Sequence, residues 1–64
     1  MDQALLARLS PNERAILALL DLGLSHAEIG QRLLMSEHTI RTHLENIEVK
    51  REMYERGEDI PTGP

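Results

Sequence analysis

At 64 residues and a net charge of −4, this chain has room for one small domain and lacks the basic surplus that drives sequence-blind binding to nucleic acid. Hydrophobic residues make up 41% of it and are nearly all aliphatic. One tyrosine and no phenylalanine or tryptophan leave nothing from which to build a base-stacking platform. The absence of cysteine excludes disulfides and thiolate metal sites.

The apolar runs fall far short of the about 20 residues that a membrane span needs, and the N-terminus has no basic segment followed by a long apolar stretch. The expectation is a cytoplasmic protein with no membrane partner.

The first segment, Asp2 to Leu9, reads as a short helix with Asp2 as its cap and Ala4, Leu5, Leu6, Ala7 and Leu9 as apolar positions. Ser10-Pro11-Asn12-Glu13 then combines a capping Ser, a Pro at the first helical position and a Glu at the third, which marks a firm helix start. From there Ile16, Leu17 and Leu20 recur at helical spacing, and Gly23 closes a helix over Pro11 to Leu22. Ser25-His26-Ala27-Glu28 repeats the capping box and opens a short helix over His26 to Leu34. Its inner stripe is Ile29 and Leu33, with Gly30 placed to let a neighbouring helix approach closely.

Ser36 offers a third cap. No proline or glycine follows until Gly57, so one long helix of about twenty residues runs from Glu37 with Ile40, Leu44 and Ile47 as its stripe. Glu37 to Arg41, Arg51 to Glu55 and Glu52 to Arg56 have the spacing of helix-supporting ion pairs. Residues 58–64, with two prolines and a glycine, read as a flexible tail behind a domain of residues 1–57.

The fold class expected is all-α: a small helix-turn-helix bundle of three main helices, with a short N-terminal helix and a long C-terminal one. Ile16, Leu17 and Leu20 can meet Ile29, Leu33, Ile40 and Leu44 in one core. Helical spacing then leaves His38, Arg41, Thr42 and Glu45 on the outer side of the last helix, the side a recognition helix presents to the major groove.

The runs Leu9-Ser10-Pro11-Asn12-Glu13-Arg14, Gly23-Leu24-Ser25 with Glu28-Ile29, and Ser36-Glu37-His38-Thr39-Ile40-Arg41-Thr42-His43-Leu44 with Asn46-Ile47 resemble the LuxR/GerE-type DNA-binding domain. The sigma-factor promoter-recognition domain is a related resemblance, and the unbroken long helix fits it somewhat better. The resemblance implies a transcriptional regulator that reads the major groove of double-stranded DNA with helix 37–50. Arg41 and Thr42 would face base edges, while Ser36, Thr39 and His43 would touch or buttress the phosphates; His38 joins them at the surface. Three positions depart from the LuxR pattern. Glu45 stands where a basic or small residue often faces DNA, Glu48 where an apolar core residue is usual, and Glu52 in place of a helix-ending glycine.

Between Glu37 and Lys50 three carboxylates oppose two cations, the wrong sign for a strong free-standing DNA reader. DNA binding is therefore expected to be weak, or assisted by dimerisation or another protein. Ile47, Val49, Met53 and Tyr54, with no obvious cover within one chain, suggest a homodimer through the end of the long helix. The alternative is an acidic protein-interaction module that binds or inhibits RNA polymerase or another transcription factor. His38 and His43, five apart, lie on different helix faces, so no metal site or cofactor is expected. The serines read as caps rather than nucleophiles, so no enzymatic activity is expected either.

Overall fold

The computed structural model describes residues 3–60, and its helices are α1 (Gln3–Leu6), α2 (Pro11–Asp21), α3 (His26–Leu33) and α4 (Glu37–Glu55). No strand occurs among the described residues, and the class is the all-α helix-turn-helix bundle expected. At about 1.5 Å per residue, the 19 residues of α4 span about 28 Å and set the 34 Å long axis of the molecule.

Helix α1 is shorter than the run from Asp2 to Leu9 suggests. Ser10 must be extended before Pro11, with φ −69° and ψ 162°, so the chain leaves the helix early. It does so through tightened turns in which Arg8 N–H donates to the Leu5 carbonyl (2.9 Å) and Leu9 N–H to that of Leu6 (3.1 Å). Leu5 and Leu9 are still buried. The proposed cap Asp2 lies outside the described residues.

Both capping boxes form: Ser10 with Glu13 opens α2, and Ser25 with Glu28 opens α3. Helix α2 ends in a six-residue closure, with Leu24 N–H donating to Leu19 O (3.2 Å) and Gly23 N–H to Leu20 O (2.9 Å) around Gly23 at φ +92°. Helix α3 ends in the same left-handed way, but there Leu34 takes the position at φ +57°, and Met35 N–H donates to Gly30 O at 2.8 Å. That fold-back explains Gly30 differently from the sequence reading. What approaches it most closely is the turn itself, since a Cβ at Gly30 would sit 2.5 Å from the Met35 carbonyl oxygen, with the first amide nitrogen of α4, that of Glu37, at 3.7 Å.

The three main helices each contribute one fully buried isoleucine, Ile16, Ile29 and Ile40, ringed by Leu19, Leu20, Leu24, Leu33, Met35 and Leu44. Leu17, expected in this core, instead lines a groove with Leu5, Leu6 and Tyr54 between the N-terminal turn and the far end of α4. Of the segment read as a tail, residues 58–60 are described: Glu58 N–H donates to Met53 O at 2.9 Å, and the Ile60 side chain is buried. Residues 61–64 lie outside the described residues.

Candidate nucleic-acid interface

Ser36 starts α4 by accepting the Thr39 N–H at 3.1 Å. Its hydroxyl also bonds the Thr39 hydroxyl at 2.9 Å. Three residues on, the Thr42 hydroxyl donates to the His38 carbonyl at 3.1 Å. The hydroxyls of Ser36, Thr39 and Thr42 are thus spent on the helix, and Thr42 offers a groove its methyl group and remaining lone pairs rather than a donor.

Ile40 faces fully inward while Arg41, Thr42, His38 and Glu45 are exposed, so the outer side of α4 is the one its spacing indicates. His43 is half-buried, at the edge between core and surface. The Arg41 side chain is 60% exposed, and its Nη2 meets Glu37 Oε1 at 3.2 Å. Of the expected ion pairs along α4, this one forms. The other two do not: Arg51 turns back to Glu48 (2.6 Å) and Arg56 reaches on to Glu58 (2.9 Å).

Beyond Leu44 the helix changes character. Glu45, Glu48, Glu52 and Glu55 are all exposed, and Glu48, at a position where the resembled family keeps an apolar residue, points to solvent beside Arg51. The cation nearest the middle of the helix is not available to offset them. Lys50 Nζ lies 2.7 Å from Glu13 Oε1, with the two side chains only 14% and 5% exposed. The same oxygen accepts the Ser10 N–H at 2.8 Å. One carboxylate therefore caps α2 and fastens the back of α4 to it.

Burial pushes the Glu13 carboxyl upward, but the hydrogen bonds from Lys50 and from Ser10, with the Lys50 charge beside it, outweigh burial and hold it below its ordinary value of 4.5. The sequence gives no sign of this contact. Glu13 is already accounted for by its capping box, and Lys50 stands 37 residues away.

The expected pairing face is also altered. Ile47 is 3% exposed and covered within its own chain, because helical spacing returns it to the same inner side as Ile40 and Leu44. Met53 and Tyr54 are half-buried, and Val49 alone of the four stands open, at 55%. No group of three or more His, Cys, Asp or Glu side chains able to hold a metal occurs among the described residues, nor does a helix long and apolar enough to cross a membrane.

A capped short helix, a left-handed turn and a long helix with one polar side turned outward, all braced on a preceding helix, define a helix-turn-helix domain of the DNA-binding class. The family model described as "Sigma-70, region 4" matches residues 3–48, and the chain belongs to that family, a non-enzymatic, DNA-binding one of transcription. The match runs from the start of α1 through the first two-thirds of α4 and includes every residue expected at a DNA surface. Of the two resemblances carried by the sequence, it is the sigma-factor one that is matched. No curated protein and no solved structure matches the chain.

Proposed function

We propose that the chain is a promoter-recognition module of sigma region 4 type that places the first two turns of α4 in the major groove. The observation that supports this most is the orientation of α4: Ile40 is fully buried while Arg41, one residue on, is 60% exposed. Arg41 is the residue to contact a guanine edge, and Thr42 and His38 flank it, with Thr42 offering its methyl. Ser36, Thr39 and His43 border the helix start, where backbone and phosphate contacts set register. The sigma-type reading is preferred to a LuxR/GerE-type one because α4 runs unbroken past Glu52 to Glu55.

Binding by the isolated chain is weak, since Arg41 is the lone cation among residues 37–44 and acidic residues follow it. Fluorescence anisotropy with promoter duplexes across a salt series tests this. The expected result is a measurable affinity at low salt that falls with a shallow slope of about 2 to 3 on a log–log plot, and that Arg41→Ala lowers about tenfold or more. Absence of binding to any duplex at low salt contradicts it.

A second reading has its own support. Because Lys50 is consumed by Glu13, the exposed side of α4 carries five carboxylates against Arg41 and Arg51. That acidic rear half suits a basic surface of RNA polymerase or another transcription factor, and such a partner would supply the affinity the DNA face lacks. Any pairing of two copies through the same half of α4 has Val49, not Ile47, as its apolar contact.

A further inference from the structure

We infer that Glu37 is a specificity-determining residue, a carboxylate that accepts a hydrogen bond from a cytosine N4 amino group while Arg41 donates to a guanine edge on a neighbouring pair. This rests on the groove reading of α4 given above. Three observations carry it.

The first is what remains available on the outer side of the first two turns. With the Thr39 hydroxyl bonded to that of Ser36 and the Thr42 hydroxyl donated to the His38 carbonyl, the described side chains there with outward polar atoms not already engaged belong to Glu37, His38 and Arg41. The second is the geometry of the pair. The Glu37 and Arg41 side chains are 48% and 60% exposed, and their contact, Arg41 Nη2 to Glu37 Oε1 at 3.2 Å, does not use Oε2 or the other guanidinium N–H groups.

The third is the chemistry of the groove. An ionised carboxylate only accepts, so it is repelled by phosphates and by the O6, N7 and O4 acceptors of guanine, adenine and thymine. The donors it can meet are the exocyclic amino groups, and cytosine N4 is the one Glu and Asp take. Arg41 beside it neutralises the carboxylate and limits its rotamers, so Glu37 reaches the base edge already oriented. In a chain of net charge −4, whose attraction to phosphates is small, selectivity then comes from base edges, and Glu37 acts as a filter: it penalises every sequence except one that offers an amino group at that place.

A merely structural Glu37, present as a first-turn acid and a partner for Arg41, would leave DNA preference untouched. Selection of wild type, Glu37→Gln and Glu37→Ala against a randomised duplex pool, followed by anisotropy on duplexes substituted one position at a time, separates the two. The expected result is a cytosine preference of about tenfold at one position in wild type, which Glu37→Gln shifts toward adenine and Glu37→Ala abolishes. Equal tightening of binding to every duplex by both variants, with the base preference unchanged, overturns the inference and leaves the groove reading standing. Failure of wild type to bind any duplex overturns the groove reading, and this inference with it.

Discussion

Glu13 shows how much one side chain can hold. Its Oε1 accepts from the Ser10 N–H and from Lys50 Nζ, tying the start of α2 to the rear of α4. Glu28 occupies the same place in the second capping box and is likewise held below its ordinary value by the Ser25 N–H, yet it stands in solvent with no cross-helix lysine bonded to it. The two boxes are alike in sequence and unlike in consequence. Because the folded-state carboxyl of Glu13 titrates below its ordinary 4.5, folding favours the ionised form. Its contribution is complete above that value and is lost as pH falls through the lower folded-state value. Thermal melts from pH 7 to 3 are therefore expected to show a flat stability that declines below about pH 4.5. In Glu13→Gln the decline is reduced, and stability at pH 7 is lower by about 2 kcal/mol, since Lys50, its side chain only 14% exposed, is left without its counter-charge.

At the scale of the elements, the ends of the helices explain what could be read in advance. Ser10, Ser25 and Ser36 mark the three main starts because a hydroxyl one residue outside a helix has few other uses, and all three accept the expected N–H. Gly23 marks a stop for the same kind of local reason. Leu34 does not, because nothing in a leucine announces a left-handed turn. It takes that conformation because Met35 must fold back over Gly30 to begin α4 at Ser36. The Leu34 side chain is 93% exposed, so its strain is not repaid by burial. Leu34→Gly is expected to raise stability by about 1 kcal/mol, measurable by urea denaturation, because it removes left-handed strain without removing a core contact. A loss of stability of similar size would show that Leu34 contributes packing its exposure does not reveal.

The outer side of α4 was legible from spacing alone, since Ile40, Leu44 and Ile47 fix which way Arg41 faces. The use of the Thr39 and Thr42 hydroxyls was not, because a threonine's choice between its own helix and a ligand depends on a rotamer. The burial of Ile47 is hidden for a related reason: the stripe falters beyond it and suggests a free seam, whereas the core reaches one turn further along α4.

For the molecule as a whole, the core and the charge distribution divide α4 into two working parts. Ile16, Ile29 and Ile40 lock the three main helices together near the start of α4, and the Glu13 to Lys50 contact fixes its rear. On the outer side of the helix so held, the front half presents Glu37, His38, Arg41 and Thr42 with balanced charge, and the rear half presents Glu45, Glu48, Glu52 and Glu55. On the groove reading proposed above, a duplex approaches the first and is repelled by the second, which would confine the groove contact to the first two turns of the helix.

The most direct test of this division is a two-dimensional amide NMR titration of the full chain with a promoter duplex at low salt. The account predicts chemical-shift changes concentrated at residues 36–43, with Glu45 to Glu55 little affected. Shifts concentrated at Glu45 to Glu55 with residues 36–43 unmoved, or no shifts at all, would contradict it.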